Sequence, residues 1–325
     1  MLGCAAGCSP PRSGCLAAAA CVLTVAKVSA GGGGAYASYL EGRAQPPEQG
    51  DHYLKDGERV EAPGRWVLGP GGAAALGVDS SLPVDGDAFH AVMVVRHPET
   101  GEQLRRVGAN GEAVVAIDGT FSAPKSVSAV WALGSPEVRA ALEAAQERAV
   151  DRALEHALEF VPMVRRRVDQ ETVVRENARE VLASSWQHTT ARAVAGQVPD
   201  PQLHSHVLIH GALRSDGKVV AVESRAWLVH QREIGATYRS ELAHELRDLG
   251  FAVERGTGRG NRYFELVGVP DGLRERWSSR HHQVAGAVEQ RLAEKKAALE
   301  AVIEQGGPEA ADAAVRLDGL SAAAG

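Results

Sequence analysis

The chain has 325 residues, 44% hydrophobic and 23% charged, enough for one large domain or two ordinary ones with a sizeable core. A net charge of −6 argues against bulk electrostatic coating of nucleic acid, while leaving room for a local basic groove. No run of about 18 uncharged apolar residues lies in the body of the chain, so no membrane span is expected.

All four cysteines stand at positions 4, 8, 15 and 21. A secreted disulfide framework spreads its cysteines through the domain, so this cluster sets residues 1–21 apart. One reading makes CLAAAAC a short apolar segment before a lipid-modified Cys21. The other starts translation near Val22, read as Met, and leaves residues 1–21 spurious or disordered. With only Arg12 as positive charge and two prolines ahead of the apolar segment, the second reading is adopted.

The β-branched run Val22–Val28 predicts a strand, broken by the glycine tract that follows Ser29. AYASYLEG, with Tyr36 and Tyr39, reads as a short helix or turn. Residues 42–87, rich in Gly, Pro and charge and including Tyr53, read as loop with brief helical turns. FHAVMVVR fits a strand or a buried helix equally. AVVAID at 113–118 predicts a buried strand ending in Asp118. In TFSAPKSVSAVWAL, Pro124 suits the first turn of a helix with Ser122 as cap, and Lys125 adds positive charge to an amide-rich N-terminus that favours an anion.

Apolar residues at helical spacing predict a long helix over roughly 136–159, a core element without chemistry. Residues 171–175 and 181–187 alternate as paired strands, the second delivering His188. VLIHGAL continues as a strand, and SDG followed by KVVAVES makes a hairpin. An amphipathic helix is expected over 231–249, stopping at Gly250. FAVER, GTGRGNR and YFELVG form another hairpin whose loop carries Arg255, Arg259 and Arg262, candidates for DNA backbone phosphates. Residues 271–305 read as helical, and the rest as a frayed Ala-rich tail. The domain expectation is therefore 1–21 outside the fold, 22–290 as the functional domain, and 291–325 as a helical tail.

The chemistry concentrates in WQHTTARAVAGQVPDPQLHSHVLIHG, residues 186–211. His204 and His206 straddle Ser205 in an alternating run, so a strand puts both rings on one face. His188 on a neighbouring strand supplies a third imidazole, provided that the fifteen residues between His188 and His204 fold back. Three neutral imidazoles leave a divalent ion with open positions, as catalysis needs. An HxH pattern alone is better explained by ordinary surface histidines; the third histidine and the companion motifs change that. A metal there can polarise a phosphodiester oxygen. A tyrosine oxygen, with a free pKa of about 10, needs such a field or a base to act as nucleophile. Asp118 can be that base, or can orient a histidine through its other ring proton. His210 shares the strand face and is assigned to the core or to support of the ligands.

IDGTFSAPKSVS, HTTARAVAGQVPDPQLHSH and AYASYLEG resemble the signatures of TrwC/TraI-type conjugative relaxases, the MobF class, over roughly residues 22–285. The resemblance implies an α+β HUH-relaxase fold, palm-like, with a central antiparallel sheet backed by helices and histidines on central strands. It implies His188, His204 and His206 as metal ligands for Mg²⁺, Mn²⁺ or Zn²⁺, Asp118 as the acid beside the catalytic tyrosine, and Tyr39 as the first tyrosine. Since Tyr39 is not part of an adjacent pair, either Tyr36 or Tyr53 serves a second transfer or there is only one active tyrosine. Lys125 joins the arginines as a DNA-binding candidate. The implied activity is nicking and strand transfer of single-stranded DNA at an origin of transfer through a 5′-phosphotyrosine, in the bacterial cytoplasm, with accessory conjugation and coupling proteins as further partners. No GxxxxGK[ST] loop is present, so ATP hydrolysis by that route is not expected. Two rivals remain: a hydrolase that activates water at the three histidines, and a non-catalytic single-stranded-DNA-binding remnant.

Overall fold

A computed structural model describes residues 23–29, 37, 40, 62–107, 114–161, 164–191, 198–256 and 263–324. They divide into two compact units, one reaching to Arg280 and one beginning at His281.

The first unit is built on an antiparallel sheet in the order β1 (Leu23–Ser29), β3 (Val114–Ser122), β7 (Pro201–Leu213), β6 (Glu180–Thr190) and β2 (Arg65–Leu68). A sixth strand, β8 (Val219–Val220), pairs with Ala212 and Leu213 of β7. Since β6 already holds one edge of β7 there, β8 takes the other and continues the place that β3 leaves. Strand β2 lies in the glycine- and proline-rich stretch expected as loop; four residues between glycines are too few to show an alternation. Strands β4 (Val164–Arg167) and β5 (Val173–Glu176) pair with each other in a separate ribbon. The expected pairing of residues 171–175 with 181–187 is thus corrected: alternation identifies strands and leaves the partner open.

One face of the sheet carries the main core. Helix α4 (Pro136–Phe160) begins where Ser135 accepts from the Val138 amide, with Pro136 in the first turn. Its stripe Leu142, Ala145, Ala149, Ala153 and Ala157 is buried, and the small side chains let its backbone come close to its neighbours. Helix α5 (Ser224–Asp248) starts earlier than expected, buries Ile234, Tyr238, Leu242 and Leu246, and gives way to Gly250 at φ 88°. These stripes meet Leu203, Val207, Ile209 and Ala212 of β7. Within this apolar layer, Gln146 donates to the Phe121 carbonyl (3.0 Å) and Ser205 Oγ (3.2 Å) and accepts from the Tyr238 hydroxyl (2.6 Å).

The opposite face packs Leu208, Trp186 and Val28 against Ala37, Leu40 and helix α2 (Gly86–Met93), and Leu182 and Leu213 against helix α1 (Pro70–Leu76) and Trp66. FHAVMVVR is thus largely helix: Asp85 accepts from the Ala88 amide at 3.0 Å, an N-cap that settles the ambiguity of the apolar run. A β-bulge at His210 keeps both faces consistent. Ile209 pairs with Ala183 and Gly211 with Leu182, so His210 has no register partner and the core-facing alternation shifts from odd to even positions.

Helix α3 (Lys125–Leu133) follows β3 directly. Pro124 takes the cap position with no side-chain cap bond, and Ser122 remains in β3, correcting its assignment as cap. The anion at this N-terminus is the chain's own Glu265, which accepts from the Ser126 amide at 3.2 Å. The hairpin of β9 (Val253–Arg255) and β10 (Phe264–Leu266) and helix α6 (Asp271–Arg276) follow. Helix α7 (Ser279–Gln305) carries the chain into the second unit, which also holds α8 (Ala310–Ala324), so the expected frayed tail is helical to Ala324. No helix among the described residues is long and apolar enough to cross a membrane.

Candidate metal centre

Antiparallel pairing of β6 and β7 brings three rings together. His188 lies directly opposite His204, and Trp186 opposite His206. Directly opposed residues share a face, and so do residues two apart, so all three imidazoles project from the same side. Their centroids are 5.1–5.3 Å apart, and one ligand nitrogen from each lies within 4.8 Å of the others. The fifteen-residue spacing proves short in space, because β6 runs on to Thr190 and β7 resumes at Pro201.

The site is buried: His188, His204 and His206 are each about 6–7% exposed and Asp118 is 3% exposed. Removal from water penalises imidazolium, and the rings repel one another's charge. Burial, then His206, depress His188 to about 4, against weaker support from the Leu40 carbonyl and Asp118. His204 is pushed well below the usual range by burial, His206 and His188. Both rings are therefore neutral at neutral pH, the form a metal takes.

Their hydrogen bonds set the tautomers. His204 Nδ1–H donates to the Gln202 carbonyl at 2.9 Å, and His206 Nδ1–H donates to both oxygens of Asp118 at 3.0 and 3.1 Å. In neutral His204 this leaves Nε2 with a lone pair. Thr120 stands opposite His206 on β3, donates to Asp118 at 3.3 Å and steadies the carboxylate. His188 donates Nε2–H to the Leu40 carbonyl at 3.2 Å. Three buried imidazoles, each held by a hydrogen-bond acceptor, fit a divalent cation by donor type and by support.

Of the two roles open to Asp118, the geometry displays orientation of His206. Sequence reasoning missed Thr120, Gln202 and Leu40. Thr120 had a signal, being two residues from Asp118 and so on its face; a backbone carbonyl leaves none. His210 is a core residue: Ser184 Oγ is 3.0 Å from its Nε2, its ring edge meets Trp66 and Phe89, and burial drives it to about 3. Lys125 is half-buried, donates to the Pro201 carbonyl at 3.0 Å, and is lowered to about 8 by its removal from water. Arg255 is exposed on β9. Tyr36, Tyr39, Tyr53, Arg259 and Arg262 lie outside the described residues.

The model of the TrwC relaxase family matches residues 33–316. The chain belongs to the TrwC relaxase family. A TrwC relaxase solved with oriT DNA in a metal-bound form is 28% identical, with a TM-score of 0.64 and 83% of each chain covered. The copper-bound form of that complex gives 30% identity, a TM-score of 0.65, and coverage of 83% of this chain and 84% of the other. The multifunctional conjugation protein TraI of Escherichia coli is 29% identical over 247 residues, 73% of this chain. The match spans 13% of that relative's length. The α+β architecture of a central antiparallel sheet backed by helices is that of the TrwC relaxase structures, and the three-histidine cluster accords with their metal-bound forms.

Proposed function

We propose that this chain nicks single-stranded DNA at an origin of transfer and holds the cut strand as a 5′-phosphotyrosine, in bacterial conjugation and plasmid mobilisation. The observation that carries the reading is the convergence of three buried imidazoles on the face where residue 40 is held by His188. Tyr39, its neighbour in sequence, is the proposed nucleophile. Its oxygen attacks phosphorus, the P–O3′ bond breaks, and a free 3′-hydroxyl leaves; reversal with another 3′-hydroxyl rejoins a strand. Tyr36 or Tyr53 takes the second transfer.

His188, His204 and His206 hold the divalent ion, which when bound places positive charge against a phosphodiester oxygen. Among Mg²⁺, Mn²⁺ and Zn²⁺, imidazole donors favour Zn²⁺ in affinity and suit Mg²⁺ least. Asp118 keeps His206 in the required tautomer and Gln202 does so for His204. Arg255, with Arg259 and Arg262 in the GTGRGNR stretch that follows it in sequence, contacts backbone phosphates. Lys125 gives one of its three N–H donors to the Pro201 carbonyl and stays a candidate phosphate contact with the others. The relaxase domain is taken as residues 22–290, acting in the cytoplasm alongside accessory and coupling proteins.

The test is a random-sequence single-stranded library incubated with protein and Mn²⁺ or Zn²⁺. The proposal expects protein–DNA adducts that survive denaturant and disappear in Tyr39→Phe and on chelation. Free 5′-phosphate ends released equally by Tyr39→Phe would support water activation instead. DNA binding without cleavage under any metal would support a binding remnant.

A further inference from the structure

The two segments IDGTFSAPKSVS and DPQLHSH touch, and they touch at a weak point of the sheet. Strand β3 ends at Ser122, opposite His204, so on that edge Pro201, Gln202 and Leu203 have no strand partner. On the other edge the ladder with β6 is irregular: His188 pairs with His204 and Thr190 with Pro201, which sets three steps of β7 against two of β6. A bulge bends the strand and aims the side chains that follow it. The approach to His204 is therefore not fixed by regular pairing on either side.

What holds it is the turn from β3 into α3. Ala123 N–H donates to the Leu203 carbonyl at 3.0 Å, and Leu203 N–H donates to Ser128 Oγ at 3.0 Å. Gln202 Nε2 donates to the Ala123 carbonyl at 3.0 Å, and Lys125 Nζ to the Pro201 carbonyl at 3.0 Å. Gln202 in turn offers its carbonyl to His204 Nδ1–H at 2.9 Å, so the braced residue is the one that sets the tautomer of the ring. Ser128 and Leu203 are fully buried, and water does not compete for these bonds.

We propose that residues 123–128 are a brace for the bulge and that Ser128 and Gln202 are positioning residues for His204. The brace gives a physical reason for the two motifs to occur together. This rests on the three-histidine metal site of the proposed function.

The test compares Ser128→Ala and Gln202→Met with Ser126→Ala, by calorimetric Zn²⁺ titration of metal-free protein and thermal unfolding. Ser126 is equally buried in the same helix, but its hydroxyl accepts from Leu266 N–H at 2.9 Å, away from β7. The brace predicts that Zn²⁺ Kd rises about tenfold in Ser128→Ala and Gln202→Met, while Ser126→Ala loses stability and keeps its Kd within about twofold. Should Ser128→Ala fail to fold, Gln202→Met, at a half-buried position, carries the comparison. Unchanged Kd in both brace variants, or equal weakening in all three, overturns the proposal. If the wild-type protein takes up no Zn²⁺, the metal reading fails by itself. The brace is then judged by the His204 Nδ1–H resonance of the metal-free protein. The brace broadens it in Ser128→Ala and Gln202→Met and leaves it sharp in Ser126→Ala; any other pattern overturns the brace.

Discussion

Leu203, Val207 and Ile209 alternate along β7 with His204, His206 and Leu208, and both sets are buried. The first set meets the apolar stripes of α4 and α5, with the Gln146 network as its polar contact. The second carries imidazoles whose bonds run to Asp118, to Gln202 and across to Leu40. Burial thus has opposite meanings on the two faces. On the helix face it stabilises the fold by removing apolar area from water. On the histidine face it keeps His188 and His204 neutral and the ring nitrogens oriented, which contributes to metal binding and adds little to stability.

Substitutions that act on one face should leave the other readable. His204→Ala is expected to weaken Zn²⁺ binding more than about 100-fold and abolish DNA cleavage, with the unfolding midpoint near that of the wild type, as measured by calorimetry and thermal melts. Leu142→Ala should do the reverse, costing about 2–5 kcal/mol in urea unfolding while the folded protein keeps its Zn²⁺ affinity. If both variants lost both properties, the two faces would not be separable.

Asp118→Asn comes next in size. An amide cannot accept from His206 Nδ1–H as a carboxylate does, so Zn²⁺ affinity should fall about 10- to 100-fold in the same titration. Gln146→Leu sharpens the contrast from the other side. It leaves the Tyr238 hydroxyl and Ser205 without their Gln146 partner, so stability should drop about 1–3 kcal/mol with Zn²⁺ affinity unchanged.

A further effect is expected with pH. In the unfolded chain a histidine takes up its proton near pH 6.5, whereas His188 waits until about 4 and His210 until about 3. Between these values the unfolded state binds more protons, so stability is fully present above about pH 6.5 and is lost as pH falls toward 3. His210→Leu should flatten part of that loss in urea unfolding across pH 3–7. An unchanged slope would contradict the assignment of His210 to the neutral core.

The histidine triad was legible because its signal is periodic: two rings at period two and a third on the flanking strand. The helix-face core was legible through the stripe of α4. What escaped depends on tertiary partners. Strand β2 is four residues long, and its extended form is fixed by pairing with Leu182–Ser185. The segment 171–175 read as a strand, but the choice of β4 over β6 as its partner is invisible in either sequence. The amide-rich start of α3 read as a place for an external anion. Glu265, 139 residues beyond Ser126 along the chain, fills that N-terminus instead. The carbonyls of Leu40 and Gln202 orient two of the three rings without any side-chain signature.

The most direct test of the histidine face as a tyrosine strand-transfer site is to digest the covalent protein–DNA adduct with protease and map the modified residue by mass spectrometry. The account predicts a nucleotide phosphate on Tyr39, formed with Zn²⁺ or Mn²⁺ and absent after chelation and in His204→Ala. An adduct on a residue other than a tyrosine, or one formed equally without metal, would contradict it.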